Sequence, residues 1–332
     1  MRTAIVKRLA PFVLVAGVLA GCSTTTAEAE TDQTVTSTVT STDGNVTVEA
    51  AVAANAQYTA GDTTWDSSDA TSITLDGSTA TSDSDAVSID GSTVTITAAG
   101  TYVLTGTLDD GSIIVDTADD GAVTIVLDDA SISSSTTPAL QVTDADEVVV
   151  VLADGSTNSL SDTSAAVDTA TSDLPNATLY STADLTIGGS GALTVTSANN
   201  DGITSKDGLV ITGGTISVQA ADDGIRGKDF LVVEGGTLTV DAGGDGLKSD
   251  QDSDETMGYV LITGGTVDVT AGDDGITATT DVIIADGTVT VVAGGGHGTS
   301  VADDESPKGV NADVSVVIGG GTLDVDAADD AI

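Results

Sequence analysis

The chain has 332 residues, with 52 acidic against 8 basic side chains and a net charge of −44 at pH 7. That balance excludes nucleic acid as a partner, because the phosphate backbone rewards Lys and Arg. A single cysteine leaves no partner for a disulfide.

At the N-terminus, Arg2, Lys7 and Arg8 precede an apolar run from Leu9 to Leu19. The run is too short to span a bilayer and reads as a signal peptide over residues 1–21. It ends in Leu19-Ala20-Gly21-Cys22, which resembles the lipobox of bacterial lipoproteins. The resemblance implies cleavage before Cys22 and acylation of its thiol. The protein is then expected on the outer face of a bacterial membrane, held only through a lipid anchor. Cleavage removes three of the eight basic residues and leaves five against 52 acidic ones, a net charge of −47. Three readings of that acidity stand: metal binding, a surface suited to high salt, or general solubility. Residues 22–47 are rich in Thr, Ser, Glu and Asp and predict a flexible tether.

From residue 48 onward short β-branched runs alternate with Gly, Asp and Ser, as in Thr93-Val94-Thr95-Ile96 and Val148-Val149-Val150-Val151-Leu152. No stretch sustains helical periodicity, so the domain over 48–332 is predicted to be all-β. It is less regular as far as residue 175. Beyond Thr178 a block of about 22 residues recurs, with turn glycines at Gly202, Gly224, Gly246 and Gly275. A second punctuation falls at Gly213-Gly214-Thr215, Gly235-Gly236-Thr237, Gly264-Gly265-Thr266, Asp286-Gly287-Thr288 and Gly320-Gly321-Thr322. Two or three strands per block and two marked corners describe the coil of a parallel β-helix, a solenoid whose repeats bury their apolar faces on one another. A propeller blade needs a longer repeat, and an antiparallel sandwich does not hold identical turns at fixed spacing. Insertions near 250–258 and 298–309 are expected as loops from one face. The chain stops inside another repeat, at Asp329-Asp330-Ala331-Ile332, which reads as a C-terminal truncation.

Stacked strands lie about 4.8 Å apart, so equivalent residues form ladders. Asp201, Asp223, Asp245 and Asp274 are expected in one row, with Asp222 and Asp273 beside it, and Asp207, Asp229 and Asp250 in a second. Neighbouring carboxylates repel by roughly 1 kcal/mol in water and more at lower dielectric. Ca²⁺ would relieve that repulsion through oxygen ligands; Asx-type turn capping by hydrated aspartates is the alternative. The run from Asp250 to Glu255 starts like a calcium loop, but its twelfth position is Leu261, so it is no EF-hand.

All five basic residues of the mature chain lie between 206 and 308, and Lys206, Arg226, Lys228 and Lys248 directly follow the Asp-Gly corners. They form either inter-coil salt bridges with neighbouring aspartates or a cationic strip that grips a carboxylate-bearing glycan, Arg226 bidentately. His297 has no second ligand at metal-binding spacing, and nothing resembles a Ser-His-Asp arrangement.

The segments Gly100-Thr101-Tyr102-Val103-Leu104-Thr105-Gly106, Asn200 to Asp207, Ala221 to Asp229 and Gly243 to Asp250 resemble a bacterial family of secreted carbohydrate-binding β-helix proteins. The resemblance implies a right-handed parallel β-helix related to polysaccharide lyases, bound calcium, and binding to cellulose and acidic pectic sugars. The fourth corner departs from it, with Thr277 and Thr279 in place of cations. Three functions follow as expectations: calcium-dependent polysaccharide binding without catalysis, a structural stalk, and a calcium-assisted lyase with Lys206, Lys228 or Lys248 as base. Flanking carboxylates are expected to raise the pKa of these lysines, which counts against the lyase.

Overall fold

The computed structural model describes residues 46–167, 169, 174–302 and 305–332. The signal sequence, Cys22 and the tether as far as Asn45 lie outside the described residues. Strands dominate, and most of their pairings are parallel.

Each regular repeat contributes three strands. One of these repeats supplies Asp201–Ser205, Gly208–Ile211 and Thr215–Ala220. The next supplies Ile225–Gly227, Phe230–Val233 and Thr237–Ala242. Every strand pairs in parallel with its equivalent: Ile203 with Ile225, Leu209 with Leu231, Thr215 with Thr237. The same three pairings continue through the strands of residues 247–271, 276–293 and 310–327. Three ladders result, here called first, second and third in chain order within a repeat. Upstream, Ala122–Ser134 feeds two of them at once, pairing with Glu147–Leu152 through its first half and with Thr157–Asp162 through its second. Two antiparallel hairpin pairings occur near the start, Thr71–Gly77 with Ala80–Thr81 and Val87–Asp90 with Thr93–Ile96.

Burial follows the side-chain alternation of a strand. In the third ladder every other residue is inside, so Ile216, Val218 and Ala220 stack on Leu238, Val240 and Ala242. The first ladder buries the column Ile203, Ile225, Leu247, Ile276 and Val310. Each such side chain contributes about 1.5–3 kcal/mol by leaving water. The second ladder is different, because all four residues of Phe230–Val233, Tyr259–Ile262 and Asp281–Ile284 are buried. Its outer face is covered by the start of the domain. Val48–Ala54 is an α-helix, capped by the Thr47 side chain, and it packs on Ile283 and Val317. The chain then runs back over the earlier strands: Ala56 N–H donates to Thr256 O, Tyr58 Oη to Glu234, and Gly61 N–H to Thr186 Oγ1. Trp65 packs against the cluster of Val126, Val149 and Val151. The strap's short helix leaves the expected all-β class standing. A seven-residue helix is too short to show periodicity and stands by tertiary packing.

Candidate functional site

The acidic corner starts from a steric rule. At Gly202, Gly224, Gly246, Gly275 and Gly309 a Cβ would meet Cγ1 of Val218, Val240, Val269, Val291 and Val325. Close packing of the corner on the third ladder, and no unusual φ, makes glycine obligatory there. The corner holds the preceding residues in one row: Asp201, Asp223, Asp245, Asp274 and, at its end, Lys308.

That row is knitted by its own carboxylates. Oδ1 of Asp201 accepts from Asp223 N at 3.2 Å, Asp223 from Asp245 N at 3.0 Å, Asp245 from Asp274 N at 3.0 Å, and Asp274 from Lys308 N at 2.8 Å. Asp201, only 1% exposed, has Oδ2 held by Asn176 Nδ2 (2.6 Å) and Thr204 Oγ1 (2.9 Å). Burial, with help from Asp223 and Asp222, pushes its pKa up to about 7. Further along, Lys248 Nζ lies between Asp223 (2.9 Å) and Asp245 (2.8 Å). Burial works against its charge, but the two carboxylates outweigh it and raise its pKa. Asp245 is nonetheless pushed up to about 6, burial outweighing Lys248. Asp274 Oδ2 is held by Asn311 Nδ2 at 2.7 Å. Asp222 and Asp273 are exposed beside the row, each shifted up by partial desolvation and then by the adjacent aspartate.

A column of outward side chains lies next to this row on the first ladder: Thr204, Arg226, Lys248, Thr277 and Asn311. Arg226 forks onto Asp250, with Nε to Oδ1 at 3.1 Å and Nη2 to Oδ2 at 2.6 Å. Lys206 and Lys228 follow in successive strands; their N–H groups donate to Ser181 O and Ser205 O. Among the described residues the ion pairs within 4.0 Å are those of Arg226 and Lys248, and neither Lys206 nor Lys228 makes one. The pKa of Lys206 is lowered by burial, then by the charge of Arg226, with Asp250 pulling the other way. This reverses the expectation for that lysine, because burial, seconded by the charge of Arg226, outweighs the carboxylates around it. For Lys248 the expected rise holds.

In the second acidic row, Asp207 lies within hydrogen-bonding reach of Asp229, and its pKa rises to about 6 through burial and that contact. Asp184 stands beside this row, one position along and level with Gly208, its Oδ1 accepting from Gly208 N at 3.0 Å. Gln251 Nε2 donates to Asp229 Oδ1 at 2.8 Å. Asp250, expected in this row, is turned instead to Arg226. Among the described residues no three His, Cys, Asp or Glu side chains converge to enclose a metal ion by themselves.

With this geometry in hand, the comparisons with known proteins are informative. A family model described as carbohydrate-binding domain-containing protein matches residues 90–332. The chain belongs to that family. A relative of the same description from Acetivibrio thermocellus is 38% identical over 126 residues, which is 38% of this chain and 44% of the relative. A solved structure of a polysaccharide lyase-like protein from C. thermocellum, a gadolinium derivative, is 33% identical with a TM-score of 0.69; it covers 76% of this chain and 99% of its own. Membership in a carbohydrate-binding family fits a glycan partner, and a lyase-like neighbour leaves catalysis open. All the expected binding and metal residues fall inside the matched region.

Sequence reading missed several members of this cluster. Asn176, Thr204 and Asn311 hold the ends of the aspartate row, and Lys308 closes it. Lys308-Gly309 stands where earlier repeats have Asp-Gly, so only the glycine spacing signals it.

Proposed function

We propose that the three ladders wind as a right-handed parallel β-helix and that the domain binds acidic polysaccharide at the cations of the first ladder, assisted by Ca²⁺. The observation that carries this reading is the gathering of Lys206, Arg226, Lys228 and Lys248 on adjoining strands of a chain with 52 acidic residues, in a carbohydrate-binding family. Acidic pectic-type chains are favoured over cellulose, since the cluster offers charge and no exposed row of aromatic rings. Anchorage through an acylated Cys22 would display the domain on the cell surface.

The residues fit a hard cation. All donors near the rows are oxygens, as Ca²⁺ prefers. Asn176 Oδ1 is buried beside Asp201 with no hydrogen-bond partner. Asp207 and Asp229 stand level on neighbouring strands, Asp229 N donating to Asp207 O at 3.3 Å, so a divalent ion would relieve the repulsion of their carboxylates. Asp201, Asn176 and Thr204 on one side, and Asp184, Asp207 and Asp229 on the other, are therefore the residues best placed to hold it. Asp222 and Asp273 supply exposed carboxylates, whereas Asp223, Asp245 and Asp250 are already neutralised by Lys248 and Arg226. Incomplete protein ligation suits an ion that also takes oxygens from sugar carboxylates. The test is retention on insoluble polygalacturonate and on cellulose, with calcium and with a chelator. Retention on polygalacturonate that the chelator weakens is expected; no retention on either polymer under either condition would end the proposal.

A second reading, a lyase on uronic-acid polymers, draws on the lowered pKa of Lys206. A less basic lysine is a better general base near neutral pH, and calcium supplies neutralisation of the substrate carboxylate when bound. Turnover of polygalacturonate to unsaturated, ultraviolet-absorbing products, lost in Lys206→Ala, would establish it. A flat trace with excess calcium would remove it.

A further inference from the structure

We infer that Asp250 is a built-in carboxylate that occupies the guanidinium fork of Arg226 and must leave it before a glycan carboxylate can bind there. This rests on the glycan-binding reading above and adds a regulatory contact to the same site.

Lys248 is held by two aspartates of the buried row and is part of the framework. Arg226 has a single carboxylate partner, Asp250, gripped through both Nε and Nη2. Bidentate pairing of this kind is how a guanidinium recognises any carboxylate, whether from protein or from sugar. Lys228 stands one strand along from Lys206. Lys206 and Lys228 have no ion pair of their own among the described residues, so Asp250 is the carboxylate that stands in the cluster at Arg226.

Asp250 is also placed to move. It lies just past the strand Leu247–Ser249, at the start of the inserted segment that reaches Tyr259, and not in the regular row. Its side chain is 30% exposed, against 13% for Arg226. Swinging Asp250 out returns it to water, whereas Arg226 stays half enclosed and needs a replacement anion. A sugar carboxylate from a polyuronate supplies that anion with the same geometry. The insertion would then set a threshold: weak monovalent anions fail to displace a tethered carboxylate, and a polymer contacting Lys206 and Lys228 as well succeeds.

Substituting Asp250→Asn, which keeps the shape and removes the charge, decides the matter. Binding of oligogalacturonides of defined length is followed by calorimetry, with calcium held constant and circular dichroism checking the fold; Asp250→Ser is run in parallel as a smaller neutral replacement. The expected result is affinity about tenfold tighter than the parent chain, and loss of that gain in Asp250→Asn combined with Arg226→Gln. Unchanged affinity would make the pair a structural salt bridge only, and weaker affinity would make Asp250 a ligand of calcium or sugar; either overturns the inference. If the parent chain binds polygalacturonate and the variants gain nothing, the binding reading survives and this contact alone is withdrawn. If neither parent nor variants bind, both are withdrawn.

Discussion

Asp201 is the carboxylate with most to gain from a proton or a counter-ion. It is almost fully buried, its neighbours are Asn176, Thr204 and further aspartates, and its pKa rises to about 7. In the unfolded chain the value is near 3.9. Between about pH 4 and 7 the folded state therefore binds more protons than the unfolded one, and stability falls as pH rises through that window. Asp207 and Asp245, each raised to about 6, add to the lower part of the same slope. Asp201→Asn keeps one acceptor oxygen for Asn176 and Thr204, gives up the one that takes Asp223 N–H, a cost that does not vary with pH, and removes the titration. Melting temperatures measured from pH 4 to 8 in the presence of a chelator should converge near pH 4 and favour the variant above pH 7. Parallel curves for the two proteins would show that Asp201 does not couple to folding.

At the scale of elements, the second ladder depends on the strap. Its strands present apolar residues on both faces, and Val210, Val232, Leu261, Ile283 and Val317 are dry only because residues from Val48 to Ala60 lie over them. Tyr259 is the rivet: its ring stacks on Phe230 with centroids 5.7 Å apart, and its hydroxyl donates to Ala56 O at 2.8 Å. Tyr259→Phe keeps the ring and deletes the bond, leaving a partly buried carbonyl unpaired, at a cost of about 1–2 kcal/mol. Urea unfolding should report that loss. Hydrogen exchange should quicken in residues 46–60 and stay unchanged at Ile225 and Leu247. Uniform quickening over the whole domain would mean that strap and ladders open as one unit.

For the whole molecule, the charge distribution matters more than its sum. A net charge of −44 repels anionic partners at long range, so an acidic glycan needs a local reversal of sign. In the binding proposal Lys206, Arg226 and Lys228 would supply it, backed by rows of oxygens that a divalent cation would join. Long-range repulsion also explains why calcium belongs to the binding proposal: it screens the approach that the five cations alone cannot.

The parallel strands were legible because glycine marks both corners of each repeat, for two different reasons. Gly214, Gly236, Gly265, Gly287 and Gly321 have φ between 75° and 107°, where a side chain is strained, while the Asp-Gly corners leave no room for a Cβ. Both demands are local, and they repeat at the period of the chain. The aspartate row was legible for the same reason, since in-register stacking turns sequence spacing into spatial adjacency. The unbroken apolar runs Phe230–Val233 and Tyr259–Ile262 also announced strands buried on two sides, but not what covers them. That cover comes from far along the chain, 226 positions away in the bond from Asn55 to Asp281, and no period signals it. Equally hidden was the division of the cations. Arg226 and Lys248 occupy the same column in neighbouring strands, yet one reaches forward to Asp250 and the other is held between Asp223 and Asp245. Sequence determined that these charges would meet; side-chain direction between stacked strands, which only the tertiary structure decides, selected which of them are neutralised and which are left to a ligand.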